Sequence, residues 1–163
     1  MYDELIEQYS KLYEIDKSLI YAIIKKESSW NSYAIRIERG FWTRYMIGIK
    51  ELFFKTPQKD EQWLTYPDLV SASYGLMQLM LSTAMELGFR FQYPTELLSP
   101  EKNIKYGCML IRKLYNRYGS WTDAISAYNQ GNNAKKFLSN EYKNQDYVDD
   151  IVEFWTIYKK GRL

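Results

Sequence analysis

The sequence predicts an all-α domain, and three observations carry that reading. Apolar residues recur at helical spacing, the recurrent stretches are bracketed by helix start and stop residues, and strand-like alternation is scarce. Gly, Pro and Asn punctuate the chain between these stretches, with no internal repeat and no low-complexity segment.

Residues 2–13 ("YDELIEQYSKLY") form the first expected helix. Asp16 has the short acceptor side chain that caps a second helix, running from Lys17 to Trp30. Residues 42–54 ("WTRYMIGIKELFF") fit a third, followed by a polar stretch from Lys55 to Asp68 that contains Pro57 and Pro67. Residues 76–87 read as a helix stopped by Gly88. The next helix has Ser99 as N-cap, Pro100 in its first turn and Gly119 past its end. Ser120 with Asp123 makes a capping-box pattern for a helix terminated by Gly131. The last helix runs from Asp146 to Lys160.

The 163 residues suit one domain, 1–163, and 46% hydrophobic with 26% charged residues is a globular rather than a disordered balance. The longest apolar runs, such as "LIYAII", are too short to span a bilayer, and the charged opening "MYDELIEQYSKLY" reads as a helix rather than a signal peptide. The chain is therefore expected to be made in the cytoplasm, with no integral membrane segment. One cysteine, Cys108, excludes an intramolecular disulfide framework. With no histidine, Ser-His and Cys-His nucleophiles and almost all common metal sites are out of reach. Proton transfer must rest on carboxylates, tyrosines or lysines, and neither a metal nor a cofactor is expected. The net charge of +2 is too weak and too dispersed for a nucleic-acid surface. The 16 tyrosines and five tryptophans suit either a sugar-stacking groove or helix packing.

One residue breaks the pattern. At about 100° per residue, Ile20, Ile23, Ile24 and Glu27 fall in one stripe of the second helix, while Lys25 and Lys26 lie to its sides. Glu27 is either a salt-bridged acid at the core's edge or a half-buried acid kept protonated at neutral pH, as glycoside cleavage requires.

"ESSWN" (27–31), "SYGLMQLMLSTA" (73–84), "SPEKNIKYGCMLIRKLYNRYG" (99–119), "AYNQG" (127–131) and "DYVDDIV" (146–152) follow one another in this order. Together they closely resemble the catalytic domain of the soluble-lytic-transglycosylase family, which is related to goose-type lysozymes. The resemblance implies a lysozyme-like helical fold with a cleft for the glycan of bacterial peptidoglycan, and a monomer. It implies Glu27 as general acid and base, cutting the MurNAc-GlcNAc bond and leaving a 1,6-anhydro end. It also implies Gln78 and Met80 in an N-acetyl subsite, Tyr128 and Asn129 beside Glu27, and Tyr147 facing the cleft. Tyr128 also falls in an apolar stripe with Trp121, Ala124 and Ile125, so a core role stays open. Ser28 is read as support for the helix end rather than as chemistry.

The spacing from Glu27 to Gly75 exceeds the family's usual interval. Residues from about 34 to 70 therefore read as an insertion, resembling a subgroup associated with phages and prophages. That association implies an endolysin or virion-delivered enzyme acting on the cell wall. Neither Ser71 nor Ser73 can be assigned as the serine that precedes "GLMQ" in other members. The insertion brings Glu38, Glu51, Asp60, Glu61 and Asp68. Glu38 or Asp68 could hold a water for hydrolysis, which needs a second carboxyl about 6.5–9.5 Å from the first. Arg36 with Glu38 could equally be a structural ion pair. Two alternatives to transglycosylation remain: hydrolysis of peptidoglycan or chitin, and a non-catalytic peptidoglycan-binding phage component.

Overall fold

The computed structural model describes residues 2–38, 40, 67–91, 93–131 and 141–161. The elements are α1 (Asp3–Leu12), α2 (Lys17–Ser28), β1 (Ile35–Ile37), α3 (Pro67–Val70), β2 (Ala72–Tyr74), β3 (Leu79–Met80), α4 (Leu81–Glu86), a 3-10 turn (Pro94–Leu98), α5 (Pro100–Tyr118), α6 (Trp121–Gln130) and α7 (Gln145–Lys159). The third expected helix, 42–54, lies outside the described residues, as do Glu51, Asp60 and Glu61.

The helical expectation holds where the caps predicted it. Asp16 accepts the Ser18 N–H at 2.9 Å at the start of α2. Ser120 accepts the Asp123 N–H at 3.4 Å at the start of α6. Gly119 turns the chain out of α5 at φ 72°. Ser99 acts differently from the expected side-chain cap: its backbone carbonyl accepts the Asn103 N–H at 2.9 Å, and its hydroxyl makes no capping bond.

α2 is the centre of the larger core. Leu19, Ile20, Ala22, Ile23 and Ile24 are all but fully buried, with Ile6 and Tyr9 of α1, Ile104, Cys108 and Ile111 of α5, Ala124 and Ile125 of α6, and Val148 and Ile151 of α7. Burial of these aliphatic side chains, at about 1.5–3 kcal/mol each, drives the helices together. A smaller cluster of Ala72, Tyr74, Leu81, Ala84, Phe89 and Leu97 fills the space between the strands, α4 and the 3-10 turn. Among the described residues no helix is long and apolar enough to cross a membrane.

Two features depart from the sequence reading. A small antiparallel sheet, ordered β1-β2-β3, adjoins the helices. The expected helix over 76–87 is also replaced by a turn at 75–78, then β3 and the short α4. Leu76, Met77 and Leu79 are buried, which supplies the apolar density that mimicked a helix. Helical φ/ψ is excluded at both ends of the turn, where Gly75 has φ 71° and Gln78 has φ 46°.

Side chains replace the helical hydrogen bonds. Asn103, fully buried in α5, accepts the Met77 N–H at 2.7 Å and donates to the carbonyls of Tyr74 at 2.7 Å and Leu97 at 2.8 Å. Ser28 donates to the Leu76 carbonyl at 2.8 Å, and Tyr128 donates to the Met77 carbonyl at 2.8 Å. The approach is so close that a Cβ on Gly75 would lie 2.6 Å from Asn103 Nδ2.

Replacing Asn103 with alanine strands one amide and two carbonyls in the interior, so Asn103→Ala is expected to cost about 3 kcal/mol or more. Urea unfolding of the two proteins measures it; a loss below about 1 kcal/mol would mean that the turn does not depend on Asn103.

Candidate active site

Glu27 occupies the last turn of α2, half-buried, with Ile23 and Ile24 buried behind it. The helix ends beyond it because Ser29 adopts the left-handed conformation at φ 49° and donates its N–H to the Lys25 carbonyl at 3.1 Å. Ser28 ties this end to the 75–78 turn. Its part is therefore the support that the sequence suggested.

Tyr147 reaches across from α7 and donates its hydroxyl to Glu27 Oε1 at 2.5 Å. Burial pushes the Glu27 carboxyl above the ordinary carboxylate value. The Tyr147 hydrogen bond and the charges of Arg36 and Lys26 pull it partly back, and Glu38 pushes it up. Tyr147 is itself pushed well up by burial and by Glu27's charge, so it stays a hydrogen-bond donor. Tyr128 is raised in the same way by burial and by Glu27's charge. Lys26, next to Glu27 in sequence, pairs with Asp150 and lies 5.9 Å from the centre of the Tyr147 ring. That contact locks α2 to α7 on the side of the site that carries Tyr147.

The other expected residues divide by what their polar atoms do. Tyr128 stands within electrostatic reach of Glu27, but its hydroxyl serves the Met77 carbonyl. Gln78 is buried, and its amide is engaged within the fold: Nε2 donates to the carbonyls of Ala34 at 3.1 Å and Gly75 at 2.9 Å, and Oε1 accepts from Ser73 at 3.3 Å. Met80 is half-buried on β3. Asn129 is exposed at the end of α6, where it accepts a bond of 3.0 Å from Asn144 Nδ2.

Of the two extra acids, Glu38 follows β1, is tied to Arg36 Nε at 2.7 Å and acts on the charge of Glu27. Asp68 is exposed on α3. Between the two serines that the sequence left open, Ser73 contacts Gln78, whereas the Ser71 hydroxyl has no partner among the described residues.

Sequence reasoning missed Asn103, which holds the turn, and Arg36 as a charge acting on the acid. Asn103 left the same signal as Glu27. It falls on the stripe of α5 that carries Gly107, Ile111 and Leu114, all buried, so a polar side chain interrupts an apolar face there too.

The acid is thus a single half-buried carboxyl with one oxygen held by a tyrosine, at a junction of α2, α7, the 75–78 turn and the sheet. A family model, the Transglycosylase SLT domain, matches residues 4–151, so the chain belongs to that family. Membership carries with it a peptidoglycan-cleaving chemistry of the transglycosylase type.

A raised carboxyl in the folded state retains a proton that the unfolded chain has released. Folded stability therefore falls as pH rises from the ordinary carboxylate range through the raised value. Glu27→Gln removes the charge that burial penalises and keeps an acceptor for Tyr147. It is expected to be about 1 kcal/mol more stable than the parent near pH 7, with the gain vanishing at about pH 3. Urea unfolding at the two pH values measures this; a variant less stable at pH 7 would refute the burial assigned to the acid.

Proposed function

With the chain a member of the Transglycosylase SLT domain family, we propose that Glu27 is both acid and base in a lytic transglycosylase that converts muramyl glycan into 1,6-anhydro products. The observation that carries the reading is the half-buried carboxyl of Glu27, pushed up by burial and held at one oxygen by Tyr147. Tyr147 occupies Oε1, which leaves Oε2 to carry the proton.

In the first step Glu27 gives its proton to the glycosidic oxygen as the bond from that oxygen to C1 breaks. The sugar left with an electron-poor C1 is then attacked by its own C6 hydroxyl oxygen. The Glu27 carboxylate takes that hydroxyl's proton, and the acid is regenerated. An intramolecular hydroxyl has an effective concentration that no bound water matches, up to about 10⁵–10⁸ M in well-oriented cases. One carboxyl therefore suffices. The composition supports this economy, since a chain without histidine has few other groups to share proton transfer.

Tyr147 and the buried turn act on this cycle through Glu27. The tyrosine hydroxyl stabilises the carboxylate that exists between the two steps, while burial favours the protonated form of the resting acid. A hydrolytic reading has one observation in its favour, the proximity of Glu38's charge, although Glu38 is committed to Arg36.

Mass spectrometry of fragments released from purified peptidoglycan tests the proposal. Ends lighter by one water and inert to borohydride are expected; reducing ends would mean hydrolysis and would turn attention to Glu38. Glu27→Gln is expected to lower the rate by roughly 10²–10⁴-fold. Tyr147→Phe removes a bond that favours the charged carboxylate, so the fall of activity at high pH is expected to move to higher pH. An unmoved pH profile in that variant would show that the tyrosine does not act on the acid.

A further inference from the structure

The small sheet has two unlike faces. Its registers set Arg36 opposite Ser73 and Ser73 opposite Met80, while Ile35 lies opposite Tyr74 and Tyr74 opposite Leu79. Directly opposed residues of an antiparallel pair project to the same side, and successive residues alternate. Arg36, Ser73 and Met80 therefore share one face. The pairing continues one step further: Glu38 donates its N–H to the Ser71 carbonyl at 3.1 Å, which adds Glu38 and Ser71 to that face.

The opposite face carries Ala72 and Tyr74 into the smaller core. The polar face lies within electrostatic reach of the acid: the charges of both Arg36 and Glu38 act on Glu27, and that of Arg36 also acts on Tyr147. The sheet runs directly into the 75–78 turn, which Ser28 bonds next to Glu27, so this face is a wall of the site.

Two groups on this wall have bonding capacity unspent. The Arg36 side chain is 58% exposed and gives Nε to Glu38, and among the described residues its four Nη hydrogens make no bond. Ser71 is 2% exposed, and among the described residues its hydroxyl has no hydrogen-bond partner. A buried hydroxyl left unpaired is destabilising. A planar guanidinium with its Nη edge open is the side chain best matched to a second carboxylate.

We propose that Arg36 receives a carboxylate carried on the 3-O-lactyl arm of the acidic sugar, and that this contact makes the cleft prefer muramyl glycan over neutral chitin-type glycan. The proposal rests on the reading of the cleft as a peptidoglycan cleft. Glu38 stays on Nε while the incoming carboxylate takes the Nη edge. The Ser71 hydroxyl, opposite Glu38 in the register, then supplies the donor that Glu38 needs once Arg36 is shared between two anions. The carboxylate comes from the arm itself on a bare sugar and from the attached peptide on a substituted one.

Calorimetric titration of the full chain carrying Glu27→Gln, which binds without cutting, tests this with four tetrasaccharides. They are the bare muramyl form, the peptide-bearing form, the bare form with its lactyl carboxylate amidated, and chitotetraose. The acidic forms are expected to bind more tightly than chitotetraose, and adding Arg36→Gln should shrink that ratio about tenfold. Arg36→Lys should restore part of it. Loss for both acidic forms would place the contact on the arm, and loss for the peptide-bearing form alone on the peptide. With Arg36 intact, the amidated form should bind like chitotetraose, a comparison that needs no variant at that position. A ratio unchanged by Arg36→Gln would overturn the proposal. Failure of the intact chain to bind any of the four would overturn both this and the peptidoglycan reading.

Discussion

The site depends on how one turn of four residues is held inside the protein. Residues 75–78 pass through the interior without regular structure, so their backbone groups need partners that a helix or strand would otherwise supply. Asn103 provides one of those bonds from α5 and ties the flanking carbonyls of Tyr74 and Leu97 with two more, while Ser28 gives one from α2 and Tyr128 one from α6. Three helices are thereby pinned to one loop. The same turn sets the start of β3, the position of Gln78 and, through Ser28, the end of the helix that carries Glu27. Fold and site share a single polar joint, and a loss at Asn103 would reach the acid through the turn and Ser28.

That joint also marks where the sequence could and could not be read. Helices with explicit caps were legible, because Asp16, Ser120 and Gly119 act locally and need no knowledge of the rest of the chain. Glu27 was legible because it interrupts an apolar stripe, and the ordered motifs gave that interruption a meaning. The 76–87 segment misled for the opposite reason. Its apolar residues carry helical density, but side chains distant in sequence compete for its backbone and win, with positive φ at Gly75 and Gln78 as the outcome. Asn103 was visible by the same rule as Glu27, but the 99–119 motif that contains it attached no role to it. The strands were too short, at three, three and two residues, for alternation to register.

The environment of Glu27 balances two demands that oppose each other. A resting acid needs burial, which penalises charge; an acid that becomes a carboxylate mid-cycle needs donors and cations, which favour charge. The structure supplies both, and burial is the largest influence at rest. Tyr147 is suited to the second role because its own hydroxyl is held neutral by the same burial. It can therefore stabilise charge on the carboxylate without competing for the proton. The Lys26–Asp150 pair anchors this arrangement from outside, joining α2 to α7 where the Tyr147 ring lies.

Much follows from Glu27 being the half-buried acid of the site while Glu38 is not its equivalent. An acid that activates water for inversion must be ionised and free to accept a proton. Glu38 accepts from Arg36 at 2.7 Å, and that contact engages its carboxylate within the protein. Arg36 in turn acts on Glu27, so removing its charge would disturb both acids at once. The pair is better suited to setting the field around the acid than to sharing its proton. In the proposed cycle that division leaves the second proton transfer to the group that makes the first. Such economy is possible only where the attacking hydroxyl belongs to the sugar already held in the cleft.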